Sequence, residues 1–396
     1  MIHEPQSENP AFLSEQIITY IGNKRLLIGK IEDEVLKIAD ELGKGIPGKG
    51  LSGKEKLICA DLFSGSGIVT RMLKAHSSHL IVNDLENYST VINSCYLSNK
   101  KDYPQHECEE IRNNIIEDCE KNRIPGIITQ NYAPKNDNDI KAGERVFYTH
   151  ENALLIDTYR NLIDKYLPET QASQNGQNCC AQNDLRKFFL APLITEASIH
   201  VNTSGVFKGF YKDKNTGIGC FGASGKNALT RILGKIELKA PVFSNFEAEF
   251  TVYQKDAVEL AKSNELPELD VAYLDPPYNQ HPYGSNYFML NLILKNKLDV
   301  EISEVSGITQ DWNRSEFNKA VTALSSLEQI VANLKAKYII ISYNSEGFIN
   351  FEQMKSMLSK DGTLKTVEIE YITFRGSRNL NARSIHVSEY LFVLKK

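Results

Sequence analysis

The chain has 396 residues, 41% of them hydrophobic and 24% charged, which is the composition of an ordinary globular protein. That length excludes a single small core and fits one large domain carrying an insertion, or two domains. A formal net charge of -5 excludes a globally basic protein, so any nucleic-acid face must be local.

Apolar residues Leu27, Ile31, Val35, Ile38 and Leu42 recur at helical spacing and predict a helix over 24–42. The run "GKGIPGKGLSGKEK" (43–56) is too rich in glycine to continue it and reads as a loop. "LICADLFSGSGIVTRMLKA" (57–75) then reads as a strand, a glycine turn and a helix. "HLIVNDLE" (79–86) reads as a second strand ending at Asp84. Together they form a βαβ unit. From about 103 to 245 the chain turns irregular, with long polar loops at 131–145 and 171–187. Loops of that length suit an inserted, functionally variable region.

The α/β pattern returns afterwards. Strands are predicted at 249–256, 269–275 and 337–344, a helix at 316–335, and a closing antiparallel pair at 366–374 and 388–396. The expected fold is α/β, one doubly wound mixed sheet, with 1–104 and 246–396 forming a discontinuous domain around an insertion at 105–245.

Seven cysteines lie at scattered positions with no C-x-x-C pair, as expected of reduced thiols in a cytoplasmic protein. No metal site is expected. His106, Cys108 and Cys119 lack a fourth ligand at suitable spacing. The first residues, "MIHEPQSENPAFL", have no apolar stretch of a signal peptide. No apolar run approaches the ~20 residues that span a bilayer, so no membrane partner is expected.

Two stretches carry chemistry. In "DLFSGSG" (61–67), Gly65 and Gly67 permit a tight turn close to a ligand, and the following helix aims its free N–H groups at the same place. The third glycine of the dinucleotide fingerprint is absent, because position 70 is Thr70. Asp61, Asp84 and Asp256 each end a predicted strand, on the sheet edge where ligands bind. There Asp84 suits the hydroxyls of a ribose, and Asp256 the exocyclic amine of an adenine.

The second stretch is "AYLDPPYNQHPYGSNYF" (272–288). Pro276 holds Asp275 extended, and neither Pro276 nor Pro277 has an N–H with which to continue a ladder. The resulting corner presents the Asp275 carboxylate and the Pro276 carbonyl as adjacent acceptors, a match for an –NH2 group. Tyr278 offers a flat stacking face beside them. Two fixed acceptors localise the lone pair of an aromatic amine, and Asp275 stabilises the positive charge that grows as it attacks an electrophile. Tyr283 and Tyr287 either line a channel or pack the loop.

"DPPY" (275–278), "DLFSGSG" (61–67) and "TYIGNKRLL" (19–27) resemble, in motif and in order, the alpha-group, Dam-like (D12 class) DNA adenine-N6 methyltransferases. The resemblance implies a Rossmann-like methyltransferase fold that binds S-adenosylmethionine, with the insertion reading the DNA target. It places Tyr20, Gly22, Lys24, Asp61, Phe63, Gly65, Gly67, Asp84, Asp256 and Asp275 at the cofactor, Lys24 near its methionine carboxylate. It places Asp275, Pro276, Pro277 and Tyr278 around a flipped adenine in double-stranded DNA, and likens "ISYNSEG" (341–347) to the strand that closes the target pocket. It implies a role in restriction-modification, beside a separately acting restriction endonuclease, or in epigenetic marking. Cytosine-N4 enzymes need the same amine chemistry but usually begin the motif with serine. A non-catalytic nucleic-acid-binding relative is the other alternative.

Phosphates require positive charge. Over 206–235, Lys208, Lys212, Lys214, Lys226, Arg231 and Lys235 stand against one acid, Asp213, with Phe207, Phe210 and Tyr211 interleaved. A second basic stretch at 374–384 carries Arg375, Arg378 and Arg383. Both are expected to touch the DNA backbone, against the alternative of solvated surface.

Overall fold

The computed structural model describes residues 7–45, 55–169, 184–223, 225–226, 228–372 and 386–396. Its centre is a seven-stranded sheet: β1 (Leu57–Asp61), β2 (Ser77–Asn83), β3 (Glu249–Tyr253), β4 (Leu269–Leu274), β5 (Ala336–Asn344), β6 (Thr363–Ile372) and β7 (His386–Lys395). The spatial order is β3-β2-β1-β4-β5-β7-β6. β1 to β5 pair in parallel. β7 runs antiparallel between β5 and β6. The expected doubly wound mixed sheet is what the chain forms.

Alternation along the strands sends successive side chains to opposite faces. Cys59, Val271, Tyr273, Tyr338 and Ile340 pack on one face with Leu27 and with α2 (Ile28–Glu41) and α3 (Ile68–His76). Ala60, Ala272, Leu274, Ile339 and Ile341 pack on the other. That second face is covered by α10 (Ala257–Lys262), α13 (Ala323–Asn333) and α14 (Phe351–Leu358). The helix expected at 24–42 starts only at Ile28, because 20–27 folds into turns that bury Lys24. The helix expected at 316–335 is a short 3₁₀ turn at Glu316–Asn318 followed by α13. The strand expected to reach Asp256 stops at Tyr253, and Asp256 instead caps α10 by accepting from Val258 N at 2.8 Å and Glu259 N at 3.2 Å.

The region 105–245 contributes α5 (Gln105–Lys121), α6 (Ile127–Tyr132), α7 (His150–Tyr166), α8 (Lys187–Ile199) and α9 (Leu229–Leu233). Its buried side chains form one cluster with α4 (Asn87–Tyr96) and α12 (Phe288–Lys295) of the flanking segments. The region 105–245 therefore shares a core with the flanking segments rather than hanging from a linker. Buried Arg160 reinforces the join by donating to the carbonyls of Ile293 and Leu294, at the C-terminal end of α12. No helix among the described residues is long and apolar enough to cross a membrane.

Candidate active site

Strand order reverses between β1 and β4: β2 and β3 lie to one side, β5 to the other. Such a switch point opens a crevice at the C-terminal ends of the strands. Here it is a cavity whose lining includes Tyr20, Phe63, Asp84, Glu86, Asp275 and Phe317. Asp256 and Pro277 also face it.

The glycine turn is fixed on every side. Gly65 and Gly67 have φ of +49° and +78°, conformations that strain any residue with a Cβ. A Cβ at Gly65 would also lie 2.9 Å from the Tyr20 ring, and one at Gly67 would lie 2.6 Å from Asn93 Oδ1. Gly65 N donates to Asp84 Oδ2 at 2.7 Å, and Glu86 N donates to Asp84 Oδ1 at 2.9 Å. Asp84 thus ties the turn to the end of β2 while facing the cavity. Asp61 is fully buried and accepts from Thr70 Oγ1 at 2.6 Å and Phe63 N at 3.3 Å. It braces the turn from beneath and is not part of the cavity wall. Burial pushes its carboxyl up to about 7. Burial, helped by the charge of Asp84, does the same to Glu86, again to about 7.

Tyr20 answers the question left by Tyr283 and Tyr287. Its ring stacks on Tyr287 at 4.7 Å and on Tyr283 at 5.0 Å, with interplanar angles of 19° and 14°. Tyr287 is fully buried, accepts from Ile21 N at 2.7 Å and donates to the Gly205 carbonyl at 3.4 Å. These rings join the N-terminal loop, the glycine turn and the insertion. Gly22, at φ +73°, sits where a Cβ would meet the hydroxyls of Tyr283 and Tyr278 at 3.4 and 3.7 Å.

Asp275 follows β4 directly, and its side chain keeps 21% exposure. Lys24 Nζ lies 3.0 Å from Asp275 Oδ1 and 2.7 Å from Glu389 Oε1. Burial alone would lower the Lys24 ammonium, but the two carboxylates outweigh it and hold it well above its ordinary value. Burial lifts Asp275 to about 6; Lys24 opposes that rise and the Glu389 charge adds to it. Pro276 is buried. Tyr278 is half-buried and meets Tyr343 edge-on at 6.4 Å. Its carbonyl accepts from Phe348 N at 3.1 Å, which brings the segment after β5 against the corner.

Sequence reasoning missed Glu86, Phe317 and Glu389. A signal existed for the last. Glu389, Leu391 and Val393 share one face of β7, and Leu391 and Val393 are core residues. An acid in register with core positions is a buried acid, and buried acids need partners. Glu86 and Phe317 carried no such mark, because Glu86 reaches the cavity from the loop before α4 and Phe317 from the short 3₁₀ turn.

The basic residues divide. Lys208 is half-buried near the Asp-Pro-Pro-Tyr loop; burial and the Lys208 charge together lower the His281 imidazole. Phe207 N donates to Asn286 O at 2.8 Å, which fixes this stretch to α11 (Tyr283–Asn286). Lys212, Lys214 and Lys226 are exposed, with Lys212 over the Phe210 ring at 5.1 Å. Arg231 is the correction. Its guanidinium donates to the carbonyls of Ile199 and Val201, the latter at 3.0 Å, so it pins the end of α8 instead of standing ready for a phosphate. Arg375 and Arg378 lie outside the described residues.

A cavity lined by Tyr20 and Tyr283, by Phe63 of the glycine turn, by the strand-end acid Asp84 and by Asp275 and Pro277 of the Asp-Pro-Pro-Tyr corner fits an amine methyltransferase that uses S-adenosylmethionine. More narrowly, the chain belongs to the D12 class of N6 adenine-specific DNA methyltransferases, whose family model matches residues 20–357. It is similar to the type II methyltransferase M.NlaIII of Neisseria lactamica, at 28% identity over 96% of this chain and 99% of that protein. It is similar also to the type II methyltransferase M.CviAII of Paramecium bursaria Chlorella virus 1, at 30% identity over 95% and 97%. The modification methylase StsI of Streptococcus sanguinis matches at 24% identity over 95% of this chain but only 52% of its own length. The protein is thus an enzyme that methylates adenine N6 in DNA.

The residues present fit the cofactor. The wall combines aromatic faces, Phe63 against Phe317 at 5.2 Å, with several carboxylates. Such a set suits a ligand that joins an adenosine to a positively charged sulfonium and an ammonium group.

Proposed function

We propose that Asp275, the Pro276 carbonyl and Tyr278 hold the amine of an adenine turned out of duplex DNA, and that the enzyme works as the modification half of a restriction-modification pair in the cytoplasm. Turning the base out costs a few kcal/mol, offset by stacking on Tyr278 and by the new hydrogen bonds. When bound, S-adenosylmethionine supplies an electrophilic methyl group. Asp84 would hold its ribose, Asp256 its adenine, Phe63 the ring face, and Lys24 its carboxylate with the one ammonium hydrogen not directed at Asp275 or Glu389. Asp275 accepts from N6 and stabilises the charge that develops there as the amine attacks.

The observation that carries this reading is that the Asp275 carboxylate sits in the cavity wall at the switch point and stays partly open. An assay with labelled cofactor and DNA tests it: Asp275→Ala should lose ~10³-fold or more in methyl transfer, on the scale of a lost electrostatic stabiliser, while still binding DNA. Turnover near wild type would sink the assignment. The proposed pairing with an endonuclease is supported by the type II names of the relatives. Sequencing methylated positions in a host that expresses the enzyme would give the target site, and DNA so marked should resist cleavage by an endonuclease of that same specificity.

A further inference from the structure

Glu389 reaches the catalytic corner from β7, two places from β4 in the sheet. It is 1% exposed. Its Oε1 accepts from Ser342 Oγ at 2.7 Å and faces Lys24 Nζ at 2.7 Å; its Oε2 accepts from Asn344 Nδ2 at 3.2 Å. Ser342 and Asn344 belong to β5, which pairs with β7 through Ser342–Leu391 and Asn344–Glu389. The acid is therefore clamped by two side chains of the neighbouring strand and directed at one ammonium. That ammonium is the group Asp275 also faces.

We propose that Glu389 is a positioning residue for methyl transfer: by sharing Lys24 with Asp275, it fixes where the Asp275 carboxylate points and how strongly the lysine neutralises it. The inference rests on the reading of Asp275 given above. An ammonium held by one buried carboxylate would pair fully with it and draw it out of the amine's reach. Held between two, the ammonium leaves Asp275 with net negative character toward the cavity. The cluster of one cation and two carboxylates carries a net charge of −1, placed where positive charge grows on N6. Ser342 and Asn344 make this workable, because their hydrogen bonds replace the water that a buried carboxylate has lost. The polar side chains of "ISYN" (341–344) thereby hold the acid that holds the lysine.

The groups that act electrostatically on Asp275 are Lys24 from the N-terminal loop, Glu389 from β7, Asp61 from β1, Tyr273 from β4 and Tyr283 from α11. Of these, Glu389 raises the Asp275 carboxyl and Lys24 lowers it. Removing the Glu389 charge must then let the Asp275 carboxyl fall. Methyl transfer needs Asp275 ionised, so the acid limb of the rate profile should move to lower pH.

The test measures single-turnover methylation against pH in the full-length enzyme, with cofactor and DNA saturating, for Glu389→Gln, Glu389→Asp and Asp275→Asn. For E389Q we expect a plateau rate ~10- to 100-fold lower, within the range of lost catalytic positioning. We also expect the acid limb to shift down by about one pH unit, as for loss of one nearby charge. E389D keeps the charge and should keep the limb near its wild-type position, at a reduced rate because the shorter side chain withdraws from Lys24. A folded E389Q with wild-type rate and limb, alongside an inactive D275N, overturns the role of Glu389 and leaves that of Asp275 standing. An active D275N overturns the reading of Asp275 itself. Should E389Q not fold, E389D carries the test, and a wild-type rate from it overturns the proposal.

Discussion

The switch-point site and the basic stretch of the insertion are built on opposite plans. At the site the bracing acids have several partners each: Asp84 accepts two backbone amides, Asp61 an amide and a hydroxyl, and Glu389 three side chains. In the insertion, Lys212, Lys214 and Lys226 extend into solvent, and the strongly bonded cation, Arg231, is spent on its own backbone. The chemistry is the same for every target and rewards a fixed geometry. Phosphate contacts act by charge and tolerate loose side chains. One region is preorganised and the other is adjustable.

That contrast can be broken experimentally. The largest effect after Asp275→Ala should come from Gly65→Ala. A positive-φ position under the Tyr20 ring meets both backbone strain of about 1–3 kcal/mol and a steric conflict. Calorimetry should show cofactor affinity reduced about tenfold or more; unchanged affinity would mean the turn is adjustable after all. Tyr287→Phe removes one hydroxyl that joins Ile21 and Gly205. It should lower the melting point by the equivalent of about 1 kcal/mol and raise KM for DNA more than for cofactor.

Replacing Lys212, Lys214 and Lys226 together with alanine should weaken DNA binding modestly and on all sequences alike. The slope of log K against log salt should flatten by about one for each phosphate no longer neutralised. An unchanged slope would move the DNA face elsewhere. Arg231→Ala sharpens the comparison most cleanly, since it should reduce thermal stability by about 1–3 kcal/mol with the salt slope untouched. A flattened slope would return Arg231 to the DNA face.

Much of the site was legible because its motifs are local. The prolines after Asp275 and the glycines after Asp61 act on their own backbone, and backbone rules need only neighbours in sequence. The strands were legible for the same reason: Ile339, Ile340 and Ile341 leave little else for that segment to be. What stayed hidden is what depends on distant packing. Tyr20, Tyr283 and Tyr287 become one stack only when a loop, a short helix and the glycine turn meet. Arg231 and Lys212 look alike as letters, and only the nearby carbonyls tell them apart. The insertion's shared core was hidden too, because α4 and α12 are buried against α8, and α12 against α7, helices that lie far from them in the chain.

The place of β7 has a consequence for the order of assembly. β7 follows the other six strands in the chain, yet it lies between β5 and β6, so it can enter only after both have been made. Until then β6 lacks its neighbour, and Lys24 faces Asp275 without its second carboxylate. Segments synthesised first tend to fold first, but here early folding yields a sheet with a gap beside the reacting corner. Methylating capacity would therefore appear in one late step, when a single strand slides home.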